Sequence, residues 1–232
     1  MRSANIVSFA NDFIGLFYPK ICASCSELLV RNEILFCTTC RYELPRTNFH
    51  LDKENEVAQI FWGRVPVENA TAHFYFHKGG RVQELLHKLK YKGQKEIGVE
   101  LGKIIGKELE QSPFNQVDAI IPVPLHPSKK RKRGYNQSEC VASGIASAMS
   151  KPLNINSLVR VVANPTQTRK HRFERWTNVE GIFALKEQRS IENKHILLVD
   201  DVVTTGATLE ACASALLQAK NVKVSIATVA KA

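Results

Sequence analysis

The sequence predicts an α/β protein with a mainly parallel sheet flanked by helices, preceded by a small four-cysteine module. Short, mainly apolar runs of strand length, such as 117–124 and 196–199, alternate with longer stretches whose apolar residues recur at helical spacing. A run without alternation is typical of a strand buried on both faces of a parallel sheet. Two Cys-x-x-Cys motifs near the N-terminus add a predicted metal module.

Length and composition fit one domain of ordinary size with a small appendage. The 232 residues are 44% hydrophobic and 23% charged, a balance typical of soluble globular proteins. The predicted division is an N-terminal helix with the four-cysteine module over 1–44, a connector over 45–68 and the main domain over 69–232. A net charge of +10 favours polyanionic partners without naming one.

The N-terminal segment is predicted to be a helix that docks on the protein's own body. Asn5, Asn11 and Asp12 interrupt any signal-peptide core. No apolar run approaches the roughly 18 residues of a membrane span, so we expect no membrane insertion and a cytoplasmic location. The apolar stripe of the helix consists of Ile6, Phe9, Phe13, Leu16 and Phe17.

Two Cys-x-x-Cys knuckles near the N-terminus are typical of a four-thiolate zinc site, in which each knuckle bends the backbone around the metal. Iron in a rubredoxin-like site and a disulfide pair are the alternatives, although disulfides are more typical of secreted chains. Because four protein ligands leave no open coordination position, we expect a structural zinc ion that folds its own module. The candidate ligands are Cys22, Cys25, Cys37 and Cys40.

The first half of the main domain predicts a strand, two helices and a second strand. The first strand is rich in β-formers and alternates loosely, which indicates a sheet edge. Pro122 and Pro124 confine the end of the second strand to an extended path. The expected elements are a strand at 70–76, helices at about 80–89 and 97–109, and a strand at 117–124.

Five consecutive bases follow this second strand, in a predicted loop. Such a run is commonly a solvated surface, but a loop between a strand end and a helix start can present cations and amides to pyrophosphate. The phosphates of a nucleic acid are the competing ligand. Asn136 to Glu139 have the spacing of a capping box, so a helix is expected from there to about Met149. The basic run is Lys129, Lys130, Arg131, Lys132 and Arg133.

A polar, basic stretch over 166–175 follows a predicted strand at 158–162 and has too few apolar residues to be core. Its length and basicity are typical of a mobile lid that closes over a charged substrate. The chain then returns to a strand near Phe183 and has its last strand at 222–229. The candidate lid residues are Gln167, Arg169, Arg172 and Arg175.

The central motif runs from Ile196 to Leu209. Four apolar residues lead into Asp200 and Asp201, a loop of small residues follows in which Gly206 can take a positive φ, and a helical pattern opens. The unpaired N–H groups and the dipole of a helix start favour bound phosphate. Acids beside a phosphate repel it, so we expect them to bind sugar hydroxyls, Mg²⁺ or both.

Residues 199–208 resemble the signature that binds phosphoribosyl pyrophosphate (PRPP) in type I phosphoribosyltransferases. The chain as a whole is similar to the ComF family of competence- and DNA-uptake-associated proteins. The resemblance implies a Rossmann-like, mainly parallel sheet flanked by helices, with a zinc-ribbon-like N-terminal module. It is carried by the paired Cys-x-x-Cys motifs, Lys90-Tyr91-x-Gly93, Ile121-Pro122-Val123-Pro124-Leu125, Arg133-Gly134-Tyr135-Asn136-Gln137, Gln167, Arg175-x-x-Asn178 and the Asp-Asp-x-x-Thr-Thr-Gly loop.

The same resemblance implies roles for individual residues. Asp200 and Asp201 would hold the ribose hydroxyls and Mg²⁺, and the turn 204–208 would hold the 5′-phosphate. Arg133 would bind pyrophosphate and Arg175 would close over it, which completes the implied catalytic set. The implied PRPP contacts are Pro124, Leu125, Arg133, Asp200, Asp201, Val203, Thr204, Thr205, Gly206, Ala207 and Thr208.

Transfer of phosphoribose from PRPP to an acceptor that the sequence does not name is the leading functional hypothesis. The zinc module stands where other phosphoribosyltransferases carry a base-binding hood, so a non-catalytic, PRPP-responsive regulator is an alternative. A module that binds single-stranded DNA, working with competence or DNA-uptake proteins, is a further alternative. The charge of +10 and the basic run 129–133 favour that last hypothesis.

Overall fold

A computed structural model describes residues 19–30, 32–161 and 182–232. The chain divides into two compact units, Met1–Leu44 and Pro45–Ala232. Within the described ranges, no helix is both long and apolar enough to cross a membrane. The predicted N-terminal helix and the predicted lid over 166–175 lie outside the described residues.

The described part of the first unit consists of two cysteine-containing turns and the helix α1 (Thr38–Glu43). The first turn is closed by a hydrogen bond of 2.9 Å from the Ser26 N–H to the Cys22 carbonyl, and Ser26 has a positive φ of 64°. In the second turn, Cys37 caps α1, because its Sγ accepts from the Cys40 N–H at 3.3 Å. Tight turns therefore shape this part of the chain.

The second unit alternates strands and helices, as predicted. Its strands are β1 (Ala70–Tyr75), β2 (Ala119–Pro122), β3 (Leu158–Arg160), β4 (Phe183–Leu185), β5 (His195–Val203) and β6 (Lys223–Lys231). Its α-helices are α2 (Glu56–Gln59), α3 (Arg81–Tyr91), α4 (Lys95–Glu110), α5 (Pro127–Arg133), α6 (Gln137–Met149) and α7 (Ala207–Leu216). Single turns of 3-10 helix occupy Phe49–Leu51, Pro113–Gln116 and Gln188–Ser190.

The central sheet has the strand order β1-β6-β5-β2, and its strands pair in parallel. This confirms the predicted parallel sheet and the predicted edge position of β1. β5 lies between β6 and β2, and residues 196–199 are 0% exposed, as expected for a strand buried on both faces. β3 and β4 form a separate antiparallel pair.

Helices cover both faces of this sheet. On one face, Ile196 and Leu198 of β5 join a core cluster with α7 and Phe61. The other face is covered by α6, which packs closely against α4. Gly102 and Gly144 permit that close packing, because a Cβ on either residue would lie 2.1 Å from a carbonyl oxygen of the opposite helix.

The basic run 129–133 lies in the helix α5, so the prediction of a loop there was wrong. Local signals explain the helix. Pro127 suits its first turn, the His126 Nδ1 accepts from the Ser128 N–H at 3.2 Å, and Gly134 ends it with a φ of 80°. All of the bases except Lys129 fall in the last turn, where the helix dipole favours positive charge.

Residues 45–68, for which the sequence predicts a connector, pack against the main sheet. Asn55 caps α2, with its Oδ1 accepting from the Val57 N–H at 2.8 Å, and its Nδ2 donates to the Ala70 carbonyl of β1 at 2.8 Å. Val57 and Phe61 are 0% exposed. This segment therefore adds core to the second unit.

Candidate functional site

Two adjacent acids occupy the carboxyl end of β5 and have different partners. Asp200 is partly buried, and its Oδ1 accepts from the Ser138 Oγ at 2.7 Å and from the Asp201 N–H at 2.8 Å. Asp201 is 7% exposed, and its Oδ2 lies 2.9 Å from the Lys90 Nζ of α3. Asp200 is thus held by hydrogen bonds, whereas Asp201 is held by an ion pair.

The two carboxylates influence each other's ionisation. Burial and the charge of Asp201 raise the pKa of Asp200 to about 7, although the hydrogen bonds from Ser138 and the Asp201 N–H favour the ionised form. Near neutral pH, Asp200 is therefore partly protonated in the ligand-free protein. A cation bound between the acids would favour full ionisation.

The turn between β5 and α7 directs backbone N–H groups outward from the start of the helix. Gly206 has a φ of 76°, which confirms the predicted positive φ, and a Cβ there would lie 2.6 Å from the Ile60 Cγ2. The first intrahelical bond runs from the Glu210 N–H to the Gly206 carbonyl at 2.8 Å. As in any α-helix, the preceding N–H groups of 207–209 have no acceptor within the helix.

Arg64 supports this turn from a segment distant in sequence. Its guanidinium donates to the Thr205 carbonyl at 2.9 Å and also pairs with the Glu210 carboxylate. The backbone of the turn is therefore fixed from both sides, by the core at Gly206 and by Arg64 at Thr205.

A cavity of about 200 Å³ lies at the carboxyl ends of β5 and β2. Beside the acids, its lining includes Lys90 of α3, Arg160 of β3 and Ser138 of α6. Of the predicted site residues, Val203 ends β5, Thr204 to Gly206 form the adjoining turn and Ala207 begins α7, and none of them lines this cavity. The predicted residues that do line it are Pro124, Leu125, Lys129, Arg133, Asp200, Asp201 and Thr208.

A second cavity, of about 330 Å³, adjoins the first and is strongly cationic. The two share Lys90, Tyr91, Lys129 and Arg133, and Lys132 lines only the second. The Arg133 guanidinium lies 5.5 Å from the centre of the Tyr91 ring, within the range of a cation–π contact. Positive charge thus extends from the acids of β5 to the surface.

Lys130 and Arg131, the remaining bases of α5, are exposed and line neither of these cavities. The Lys130 Nζ lies 3.7 Å from a carboxylate oxygen of Glu139. The basic run is therefore divided into residues that border the cavities and residues that face solvent.

Sequence reasoning missed Ser138, Arg160 and Arg64 as site residues. In the sequence, Ser138 was explained as part of the predicted capping box. The cap is present, because the Asn136 Oδ1 accepts from the Ser138 N–H at 3.1 Å at the start of α6. Its contact with Asp200 joins residues 62 positions apart, and no local pattern indicates it. The remaining predicted site residues, Gln167, Arg169, Arg172 and Arg175, lie outside the described ranges.

The four predicted metal-binding cysteines of the first unit converge. The Sγ atoms of Cys22, Cys25, Cys37 and Cys40 all lie within 4.8 Å of one another, and those of Cys25 and Cys37 are 3.7 Å apart. Zn–S bonds of about 2.3 Å in a tetrahedron require sulfur atoms about 3.8 Å apart. The spacing is far longer than a disulfide bond of about 2.05 Å. The donor set therefore fits a four-thiolate metal site.

Comparison with known proteins agrees with these features. The family described as phosphoribosyl transferase domain matches residues 93–232. DNA utilization protein YhgH of Salmonella typhimurium is 30% identical over 209 residues, covering 88% of this chain and 87% of that protein. Competence protein ComFC of Bacillus subtilis is 27% identical over 201 residues, covering 86% and 78%.

Among solved structures, the glutamine PRPP amidotransferase of B. subtilis is similar over 60% of this chain and 30% of its own, with a TM-score of 0.42 and 21% identity. The family match covers more than half of the chain, and the YhgH alignment spans most of both proteins. The chain therefore belongs to the ComF family and carries a phosphoribosyl transferase domain.

Proposed function

We propose that this protein binds PRPP at the carboxyl end of β5 and transfers its phosphoribosyl group, with Mg²⁺, to an acceptor in a process linked to DNA uptake. The observation that carries the proposal is one cavity in which Asp200 and Asp201 face Lys90, Lys129 and Arg133. A ligand complementary to this cavity needs hydroxyl groups for the acids and dense negative charge for the bases. PRPP has both.

The contacts of the two acids support different roles. The Asp201 Oδ2 is buried, and among the residues that the structure describes it has an ion pair with Lys90 but no hydrogen-bond partner. It can therefore accept from a ribose hydroxyl. The Asp200 Oδ1 is already occupied by Ser138 and the backbone, which fixes the orientation of that carboxylate and leaves its other oxygen for a ligand.

The turn 204–208 is suited to the 5′-phosphate. Its N–H groups at the start of α7 have no acceptor in the helix, and the helix dipole adds positive potential there. Thr208 lines the cavity beside the acids, so a ribose bound by Asp200 and Asp201 would have its 5′ end near this turn.

The acids also fit Mg²⁺. Mg²⁺ is commonly held by one or two carboxylates together with substrate phosphates, and the buried Asp201 Oδ2 is an oxygen ligand of that kind once Lys90 moves away. Asp200 and Asp201 would hold the ion. When bound with PRPP, Mg²⁺ would supply positive charge to the pyrophosphate.

In the proposed reaction, the bond from ribose C1 to the pyrophosphate oxygen breaks and the acceptor's nucleophile bonds to C1. The bonding electrons leave with pyrophosphate, so bases near the developing charge lower the barrier. Arg133 and Lys129 are in position to do this. We expect Lys90 to leave Asp201 and join them when the ribose arrives. Arg175 and the lid residues Gln167, Arg169 and Arg172 remain predicted partners of the pyrophosphate.

Pyrophosphate release tests the proposed transfer. The purified full chain with Mg²⁺ and PRPP would be assayed against nucleobases, amines and single-stranded DNA as acceptors. The double variant Asp200→Asn/Asp201→Asn serves as the control for contaminating activity. We expect acceptor-dependent release well above that of the variant. Release no faster than that of the variant with every acceptor would contradict transfer and leave a PRPP-responsive regulator as the function.

Binding of single-stranded DNA is a second candidate function, favoured by the solvent-facing bases of α5. Lys130 and Arg131 are exposed and line neither cationic cavity, so PRPP does not account for them. The names of the relatives, a DNA utilization protein and a competence protein, point to the same ligand. A nucleic-acid strand bound there would contact these bases through its phosphates.

The division of the basic run provides matched variants. Lys130→Gln/Arg131→Gln should weaken binding of a labelled oligonucleotide about tenfold and leave PRPP binding unchanged, whereas Lys129→Gln/Lys132→Gln should weaken PRPP binding as well. Affinity measured by anisotropy should fall steeply between about 50 and 200 mM salt. Unchanged DNA affinity in both double variants would contradict this second function.

A further inference from the structure

We infer that the second unit contains a site for a divalent transition-metal ion, formed by His50, His73 and Glu108. His50 lies in the turn Phe49–Leu51, His73 in β1 and Glu108 near the end of α4. One ligand atom of each side chain lies within 4.8 Å of the other two. This cluster is independent of the proposed PRPP cavity, which none of the three residues lines.

The buried nitrogen of His73 is the first sign of a missing ligand. The side chain is 2% exposed, and within the described ranges its Nε2 has no hydrogen-bond partner. The Glu108 Oε2 lies 3.2 Å from this nitrogen, but the contact lacks hydrogen-bond geometry. Leaving a buried polar nitrogen unsatisfied is costly, and a bound metal ion would satisfy it.

The spacing of the three atoms suits metal coordination. The Glu108 Oε2 lies 3.2 Å from the His73 Nε2 and 4.0 Å from the His50 Nε2. Nitrogen and oxygen ligands at about 2.0–2.2 Å from a tetrahedral ion are roughly 3.3–3.6 Å apart. The observed distances lie on either side of this range, so small side-chain movements would complete the site.

Arg46 orients the carboxylate of Glu108. Its Nε donates to the Oε1 at 3.2 Å, which leaves the Oε2 directed at the two histidines. Outer-shell hydrogen bonds of this kind commonly fix the ligands of metal sites in proteins. The His50 and His73 rings are 26° from parallel, with centroids 6.1 Å apart. The three side chains thus converge on one volume.

Two imidazoles and one carboxylate favour Zn²⁺, Fe²⁺, Co²⁺ or Ni²⁺ over Mg²⁺ or Ca²⁺, which prefer ligands made of oxygen alone. Three protein ligands leave a position for water or another small ligand. His50 also forms part of the wall of a cavity of about 330 Å³, which gives an ion a route into the site. Bound metal would connect β1, α4 and the Phe49–Leu51 turn.

A cobalt titration tests the site without involving the cysteines. The full chain would first be loaded with one equivalent of zinc, which the four thiolates bind in preference to the two imidazoles and the carboxylate, and Co²⁺ would then be added in buffer without phosphate. We expect one Co²⁺ per chain with visible d–d absorption but without the near-ultraviolet thiolate-to-cobalt band. Binding should also raise the melting temperature. If no Co²⁺ binds at millimolar concentration, the site does not exist and the cluster is an ion-pair network only.

Single substitutions assign the cobalt to these residues. His73→Gln and Glu108→Gln should each weaken binding at least tenfold, an effect that even an outer-shell change commonly produces. His50→Gln, at the edge of the cluster, is the substitution least expected to perturb folding and should have the same effect. The exposed His87, replaced by Gln, is the matched control and should change nothing. Equal affinity in the parent, His50→Gln and His73→Gln would overturn the inference.

Discussion

Asp200 at the end of β5 and Glu108 on α4 are both partly buried acids, but their neighbours carry opposite charge. Asp200 adjoins a second acid, and burial together with the Asp201 charge raises its pKa to about 7. Burial also acts to raise the pKa of Glu108, but contacts with His73 and Arg46 prevail and lower it to about 2. Asp200 and Asp201 repel each other, whereas the charge of Glu108 is offset by its basic neighbours.

The comparison distinguishes a site where two carboxylates repel each other from a site where one carboxylate is offset by basic neighbours. Repulsion between Asp200 and Asp201 destabilises the ligand-free protein and is relieved by a cation or by donors such as ribose hydroxyls. Groups with such raised pKa values are concentrated at functional sites. At the cluster of His50, His73 and Glu108, the buried His73 Nε2 has no hydrogen-bond partner within the described residues, and a metal ion would satisfy it. Neutralising the acid should therefore change stability in opposite directions at the two places.

The largest expected effect is at Glu108. Glu108→Gln removes the negative partner of Arg46 and His73, and the free energy of unfolding should fall by about 2 kcal/mol at pH 7.5 in metal-free buffer. This is less than for a fully buried pair, because Glu108 is 29% exposed. The pKa of Glu108 is lower in the folded protein than in the unfolded chain, where it is near 4.3, so the ionised carboxylate stabilises the folded protein above that pH. This contribution is lost as the pH falls towards 2. The difference in the free energy of unfolding between the parent and Glu108→Gln should therefore become smaller in acid.

Urea denaturation measures this effect, and Glu84→Gln is the control. Glu84 is 51% exposed and pairs with Lys88 one helical turn away, so its substitution should change stability by no more than about 0.5 kcal/mol. Equal effects of the two substitutions would contradict the account of the Glu108 cluster.

At Asp200 the same kind of substitution should stabilise the protein. Its folded pKa is above the unfolded one, so the parent loses stability as the pH rises from about 4 to about 7 and then levels off. Asp200→Asn does not lose stability over this pH range, because its side chain does not ionise, and it can still accept a hydrogen bond from Ser138. It should gain on the order of 1–2 kcal/mol at pH 8 and nothing near pH 4. If Asp200→Asn were less stable than the parent at pH 8, repulsion between Asp200 and Asp201 would not destabilise the folded protein.

A smaller effect is expected at Ser138. Ser138→Ala removes the hydroxyl that donates to Asp200 at 2.7 Å and should reduce the free energy of unfolding by about 1 kcal/mol at pH 8. In the Asp200→Asn background the loss should be smaller, because the acceptor is then neutral. A double-mutant cycle measures this coupling. Fully additive effects would show that the contact does not link the two residues.

Local patterns in the sequence predicted the parts of the site that are contiguous in the chain. The four apolar residues before Asp200 indicated a strand buried on both faces, and β5 contains them. The small residues around Gly206 indicated a tight turn with positive φ, which the structure has. Likewise, the spacing within each cysteine knuckle predicted the convergence of four thiols. In each case, the interacting residues lie close together in the chain.

Contacts between distant segments were not predictable in this way. Arg64 reaches the Thr205 carbonyl across 141 positions. The segment that carries Arg64 was predicted to be a connector because it has prolines, few apolar runs and mixed charge, yet its apolar residues Val57 and Phe61 are buried in the core. His73 and Glu108 are brought together only by the packing of a strand and a helix. The bases of α5 were assigned to a loop because a run of consecutive bases is commonly a solvated surface, and the helix signals of Pro127 and Gly134 were not used.

Calorimetric titration of PRPP into the zinc-loaded protein with Mg²⁺ tests whether the cavity at the end of β5 binds PRPP. Asp200→Asn/Asp201→Asn would be compared with Glu108→Gln, whose site is independent of the cavity. The account predicts one PRPP per chain in the parent and in Glu108→Gln, and binding at least about 100-fold weaker in the double variant, a loss near 3 kcal/mol. No heat and no rise in melting temperature in the parent would contradict it.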